Sequence, residues 1–550
     1  MSRSARLGAC LSALLLFAAA LPILSAAPVV TNVQNAASNT PQGLPNAALA
    51  QGSVFVVKGS GLGPASISVA PVAFQSTTVS GTSVAVTVGS TTVNAPMYYT
   101  SDAQVAALLP SSVPTGNGTI TVTYNGQTSA PAPVGVTLNN LAILTIDSSG
   151  GGPAIVTFPD YSLVSTAKTS GCGGVFTACG AANPGDTLTL WGTGLGPVTG
   201  NDVSGAGLGQ NMPNIPLTVW LGGVRAPVVY QGRSGCCVGE DQIVFTVPAD
   251  TPTGCAVPLA VQIGGRVSNT TALPVADGSR NCLPTYPPYD SVSLEQAILT
   301  GTFTSGAITL NHSTRGGGAF EDDVKFEFFK LTANPGMPPY LPSWFDVTPL
   351  GTCIVYNNLD TNLNLPISGA LLDAGASFTV TGPNGSLAAP SNFGNFSKIN
   401  AAGTFLVPGA YTVSGTGGAD VGPFTANISI SPSLTLASPA DGATVTRSNG
   451  LTVNWTGGTG YVQIQVNAPT NNTFTTGAAA VCLAAASTGT LTIPPYVLEA
   501  LPATNLAGLV LSSVTVNTFS ATGLTVGAVQ TLVDEAGFGY GWRSGSLKLQ

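Results

Sequence analysis

The sequence predicts an all-β protein, a row of tandem β-sandwich domains behind an N-terminal signal peptide. Three observations carry that expectation. Gly59-Ser60-Gly61-Leu62-Gly63-Pro64 returns as Gly192-Thr193-Gly194-Leu195-Gly196-Pro197, each copy following an alternating, β-branched run. After each copy come an Ala-Pro step (Ala95-Pro96, Ala226-Pro227), a run ending at Pro110 or Pro248, and Pro-Thr-Gly at 114–116 or 252–254; order repeated in this way marks a duplicated structural unit. The 550 residues include 68 Gly and 41 Pro but only 7% charged residues, a balance that builds strands and turns more readily than helices.

The elements follow in chain order. Arg3 and Arg6 precede an apolar stretch, Leu7–Leu24, and Leu24-Ser25-Ala26 suits signal peptidase with Ala27 as the new N-terminus, so residues 1–26 are expected to be a leader. Leu7-Gly8-Ala9-Cys10 fits a lipidation box but lies ahead of the hydrophobic region, which favours cleavage after Ala26. No later apolar run is long enough to span a bilayer. The expected location is secreted or extracytoplasmic, on the outer surface or in the periplasm.

A first sandwich is expected over 28–138, with strands at Ser53–Lys58, Ile67–Val72, Val84–Val88, Met97–Tyr99, Gln104–Leu109 and Thr119–Tyr124; short strands at this spacing are the pattern of a sandwich. A second, over 139–275, places Asp186–Trp191, Leu217–Leu221, Val228–Tyr230, Gln242–Val247 and Val257–Ile263 in the same order, its extra length lying in Cys-bearing and Gly-rich inserts such as 158–182 and 199–213. Residues 276–290 hold the Pro- and Tyr-rich stretch 283–289 and read as a stiff linker. A third β-sandwich domain is expected over 291–431, with its densest aromatic strand at Val324–Leu331, and a β-rich fourth over 432–550, with one short helix at Val497–Leu501.

Composition excludes some functions. The net charge of -8 becomes -10 once Arg3 and Arg6 leave with the leader, so neither nucleic acid nor anionic lipid meets the basic footprint it needs. The mature chain keeps Cys172, Cys179, Cys236, Cys237, Cys255, Cys282, Cys353 and Cys482. Export makes disulfides their expected fate; Cys172 and Cys179 could close a Gly-rich loop locally, and the remaining pairing stays open. Zinc at Cys236-Cys237 is disfavoured because neighbours on an extended strand point to opposite faces and no histidine lies nearby.

The motifs that tempt a catalytic reading do not carry it. Gly59-x-Gly61-x-Gly63 and its copy run into Pro64 and Pro197, whereas a dinucleotide loop must enter a helix; the glycines are expected to serve tight turns and close packing. His312 is the only histidine, stands in a polar turn-like stretch and has no nucleophile elbow beside it. Among the acids, Glu240-Asp241, Glu321-Asp322-Asp323 and Asp534-Glu535 are the candidate sets; Glu321, Asp322 and Asp323 are expected as a solvated turn, with a structural calcium as the functional reading. No catalytic residue is assigned, and no cofactor beyond that calcium. Trp344 and Tyr340, in the segment 338–345, and Trp542 are the candidate ligand-binding aromatics for a polysaccharide or peptide surface. Trp455, ending an alternating run, is expected in a core.

The duplicated half, about 28–275, resembles the immunoglobulin-like modules of the IPT/TIG type, of the kind found in the repeat-bearing domain of secreted acidobacterial proteins. The resemblance is carried by 33–38, Gly59–Pro64, Ala95–Tyr99, Asn183-Pro184-Gly185-Asp186, Trp191–Pro197, Ala226–Tyr230 and 247–254. It implies a pair of immunoglobulin-like sandwiches in an extracytoplasmic setting and transfers no catalytic residues. The stretches 409–420 and 450–464 are similar to uncharacterised exported segments from the same kind of organism. The expected function is therefore non-enzymatic: adhesion, envelope or matrix architecture, or surface recognition of an extracellular polysaccharide or surface protein. The competing expectation is a carbohydrate-binding or carbohydrate-degrading protein with its site in 290–550.

Overall fold

The computed structural model describes residues 26–71, 74–146, 148–166, 179–204, 208–283, 285, 302–315, 319–332, 348–357, 368–390, 397–401, 403–432, 434–473, 475–534 and 547–550. The chain is all-β, and its one described α-helix is the five-residue Pro495–Glu499. Proline at the first helical position suits the start of this helix, since its fixed φ is helical and its missing N–H has no partner to lose.

In the first module the strands Val29–Asn35, Val54–Ser60, Gln104–Leu108 and Met97–Thr100 lie side by side in that order. The facing sheet runs Ala132–Thr137, Gly116–Tyr124, Thr82–Val88, with Thr91–Asn94 on its edge. Thr82–Val88 shows why: Thr82, Val84, Val86 and Val88 are buried while the intervening side chains are half-exposed, the period-2 pattern of a sheet wet on one side. The three valines meet Phe55, Val57, Val105 and Ala107 of the other sheet. Two sheets with this strand order are the immunoglobulin-like arrangement.

The second module repeats it strand for strand. Ala142–Ile143, Thr187–Thr193, Asp241–Thr246 and Val228–Arg233 form one sheet, and Thr271–Val275, Gly254–Ile263, Leu217–Leu221 and Val224–Ala226 the other. The Gly motif closes the same corner in both. A Cβ on Gly59 would lie 1.9 Å from the Val29 carbonyl oxygen, and one on Gly192 would lie 2.6 Å from that of Ala142. Gly61 and Gly194 have φ of +66° and +102°, the left-handed region that favours glycine. The duplication is thus architectural, and the glycines serve turn and packing.

The C-terminal half is built on one eleven-stranded sheet. Its main path runs Cys353–Tyr356, Gly477–Ala485, Tyr461–Pro469, Thr504–Phe519, Val526–Asp534, Thr302–Arg315, Ala319–Thr332 and Ser368–Leu371. Thr302–Arg315 pairs in parallel with Val526–Asp534, Ser305 opposite Val526, so this sheet crosses the boundary expected at 431. A four-stranded sheet within 377–430 covers part of it, stacking Phe378 on Phe326 at 4.4 Å between ring centroids. A three-stranded sheet within 434–493 shares another core with it, containing Val453, Trp455 and Ile493 against Val462 and Ile464. Trp455 is buried there, its indole N–H donating to the Ala486 carbonyl at 3.1 Å.

Tyr411 is the corner of the four-stranded sheet. Its hydroxyl accepts from the Val407 amide at 2.8 Å and lies 2.9 Å from the Phe405 and Val407 carbonyls, and burial raises its pKa. A tyrosine tying the start of its strand to backbone just upstream is a feature of immunoglobulin-like sandwiches. Nothing in the sequence reading anticipated the strand Gly477–Ala485, whose alanines at 478, 479, 480, 484 and 485 have little intrinsic strand preference; it forms because both its neighbours hydrogen-bond to it.

Candidate functional site

The densest polar chemistry among the described residues lies where the two immunoglobulin-like modules meet. Arg233, at the end of its strand, and Asp241, at the start of the next, are paired by the antiparallel register. Their side chains are fully buried and joined at 2.8 Å through Nε and Oδ1. The guanidinium reaches further: Nη1 donates to the Gly52 carbonyl of the first module at 2.9 Å and Nη2 to Gly196 at 3.0 Å. Oδ2 of Asp241 accepts the amides of Gly194 and Leu195, both at 2.7 Å. Burial pushes the Asp241 carboxyl upward, while Arg233 and the two amides pull it back.

In the first module Asp102 takes the corresponding place, its carboxylate accepting the Gly61 amide at 3.1 Å and its carbonyl the Leu62 amide at 2.9 Å. An acidic residue thus clamps the Gly corner in both copies, and the second copy adds a cation that crosses the junction. Around it, Thr193 receives the Val54 amide at 2.9 Å and donates to Gly239 at 2.6 Å. Tyr98 donates to the Val238 carbonyl. Leu108 packs with Val203 and Val238, so the longer loops of the second module form the contact surface for the first.

The outer edge of this junction is the loop 234–240. Cys236 and Cys237 are exposed and joined as a disulfide. This corrects the expectation for adjacent cysteines: they stand on a bend, not an extended strand, so their sulfurs come together instead of diverging. The half-buried Glu240 stands beside them, a carboxylate oxygen and the two sulfurs lying within 4.8 Å of one another, but sulfurs bonded to each other offer no thiolate to a metal. Burial, then the neighbouring Asp241 charge, pushes the Glu240 carboxyl up to about 7. Cys255–Cys282 and Cys353–Cys482 form the other described disulfides, closing sequence separations of 27 and 129. Cys172 and the side chain of Cys179 lie outside the described residues.

A second junction ties the duplicated half to the C-terminal half. Trp220 stacks on Tyr496 of the short helix, with ring centroids 4.6 Å apart and planes within 9°, and Arg225 lies 5.0 Å over the Trp220 ring. Gln262 accepts the Trp220 N–H at 3.0 Å and donates to Glu499 at 2.7 Å. Ala260 and Val267 join the core that holds Tyr496 and Leu498, and so does Leu44 of the first module.

The remaining sequence candidates fall elsewhere. Trp344, Tyr340 and Trp542 lie outside the described residues. Glu321, Asp322 and Asp323 stand in the fourteen-residue strand Ala319–Thr332, not in a turn, and strand alternation sends Asp322 to the face opposite its two neighbours. Asp322 is buried; its Oδ2 accepts the Phe405 and Leu406 amides at 2.7 and 3.0 Å, and its other oxygen meets His312. His312 therefore belongs to a strand and contacts the carboxylate that docks the 403–407 segment; it does not lie in the expected turn. A cleft of about 310 Å³ separates Gly116 and Leu138 of the first module from Arg266 of the second; the cation there is Arg266.

Sequence reasoning listed Glu240-Asp241 only as acids and missed Arg233. The available signal was the contrast between copies: the strand that ends at Thr100 in the first module ends at Arg233 in the second, a cation placed where the pattern calls for burial.

No helix among the described residues is long and apolar enough to cross a membrane. No family model matches the chain, and no curated protein does. Solved structures that align with it include the I9–I11 tandem of titin, at 10% identity over 70% of this chain and 94% of that one, with a TM-score of 0.12. Domains 5–6 of the S-layer protein SbsC align at 14% identity over 46% and 99%, with a TM-score of 0.17. SGBP-B from a xyloglucan utilization locus of Bacteroides uniformis aligns at 12% identity over 70% and 88%, also with a TM-score of 0.17. The immunoglobulin-like assignment of the duplicated half rests on its own strand order and register.

Proposed function

We propose that this chain is an exported, non-enzymatic protein that works by surface contact, in adhesion, envelope or matrix architecture. The carrying observation is the use made of its buried ion pair: Arg233 and Asp241 hold backbone of both modules, Gly52 on one side and Gly194 to Gly196 on the other. Chemistry that an active site would aim at a substrate is spent here on holding one sandwich against the next. In this reading the IPT/TIG-type modules over 28–138 and 139–275 present a fixed frame, 276–290 links them to the C-terminal half, and recognition of a polysaccharide or a surface protein falls to the segment that carries Tyr340 and Trp344.

The test is binding of the full secreted chain to a glycan array and to immobilised envelope fractions, with calcium and with chelator, beside Trp344→Ala. Retention on envelope material without turnover of any glycan is the expected result. Release of sugar from an array ligand would overturn the non-enzymatic reading, and glycan binding unchanged in Trp344→Ala would remove Trp344 from the recognition surface.

A further inference from the structure

We propose that Cys236–Cys237 is a thiol–disulfide exchange site that takes an extracytoplasmic dithiol as its redox partner, while the two other described disulfides are structural. The three bridges differ in what they connect and in who can reach them. Cys255–Cys282 and Cys353–Cys482 join segments 27 and 129 residues apart, and all four of these cysteines are buried, at 6%, 0%, 3% and 0% exposure. Cys236–Cys237 joins neighbours and is exposed. A bridge between neighbours closes no loop, so it does not constrain the unfolded chain as the others do. Exposure gives an attacking thiolate access to its sulfurs, the condition under which exchange proceeds.

The surroundings allow the bond to open without unfolding the loop. On the inner side Ser234 and Val238 are buried, the Ser234 amide donates to the Glu240 carbonyl at 2.8 Å, and Thr193 holds Gly239. On the outer side the Glu240 carboxyl lies 3.9 Å from the Cys236 sulfur.

The exchange balances as follows. One thiolate of the dithiol attacks one cysteine sulfur, the Cys236–Cys237 bond breaks, and the departing thiolate takes a proton. The second thiol of the partner then displaces the mixed disulfide and leaves as part of an oxidised, disulfide-bonded partner. Two electrons and two protons have passed to Cys236 and Cys237.

The test is residue-resolved alkylation of the folded full chain during stepwise reduction with dithiothreitol. Cys236 and Cys237 should become labelled at least about tenfold faster than Cys255, Cys282, Cys353 and Cys482, with amide-exchange protection of the two modules unchanged. The reduced chain should take up phenylarsine oxide, and the Cys236→Ser/Cys237→Ser variant should take up one equivalent less. Equal labelling rates for the three bridges, labelling of Cys236 and Cys237 only on unfolding, or arsenical uptake unchanged in the double variant would each overturn the proposal.

Discussion

Arg233→Ala is the perturbation that reads the module junction most directly. It leaves the fully buried Asp241 carboxylate without its cation and strips donors from the Gly52 and Gly196 carbonyls. Breaking a buried pair on one side costs about 3–5 kcal/mol, because the remaining charge stays desolvated. The two backbone amides on Oδ2 persist and hold the cost within that range. Uptake of a proton by Asp241 limits it further, so about 4 kcal/mol is expected near neutral pH. Because a multidomain chain does not unfold in one step, the assay is native-state hydrogen exchange followed at Gly194, Leu195 and Val54. A loss of 4 kcal/mol corresponds to protection falling by about three orders of magnitude. Arg233→Met/Asp241→Asn, which removes the charge from both sides, should recover a large part of it. Protection within threefold of wild type in Arg233→Ala would refute the claim that the pair holds the junction.

Three further outcomes follow from the same geometry. Glu240 binds its proton up to about pH 7 when folded and releases it near 4.5 when unfolded, so the native state holds the extra proton between those values and stability falls as pH rises from 4.5 to 7. Glu240→Gln should remove that slope and be more stable than wild type at pH 8 by about 2 kcal/mol after discounting for partial solvent screening, with the difference gone below pH 4.5 in denaturant titrations. Trp220→Ala loses the stack on Tyr496 and the hydrogen bond to Gln262; about 2–3 kcal/mol of local stability should vanish at 495–499 by hydrogen exchange, less than for a fully buried Trp, while the first module's own core around Phe55 and Val84 is unaffected. Tyr411→Phe keeps the ring and removes the hydroxyl shared by Phe405 and Val407, a loss of about 1–2 kcal/mol to be measured as a lowered denaturation midpoint of the C-terminal half.

Much of the fold was legible in the sequence because strand and turn formation in this chain is local. The alternation in Thr82–Val88, the proline stops, and glycines at positions needing positive φ each act over a few residues, and the repetition of that order predicted two like sandwiches. Leu217–Leu221 occupies the expected residues, and the expected Met97–Tyr99 and Gln104–Leu109 differ from the observed strands by one residue each, for that reason. The strand at Gly477–Ala485 was hidden because alanine carries little local preference and one of its pairing partners, Cys353–Tyr356, comes from elsewhere in the chain.

The sequence by itself determined the fold class, the duplication and the architectural role of the Gly corners, since these rest on periodicity and backbone sterics. Only the tertiary structure decided which charged groups are buried and what they hold. Arg233 meets Gly52 across 181 residues, and Thr302–Arg315 finds Val526–Asp534 to carry one sheet across the expected boundary at 431. It also placed the Cys236 and Cys237 sulfurs together on a bend. Such pairings depend on how distant backbone is brought together and desolvated, which is a property of the packed chain and is not encoded in any short run of residues.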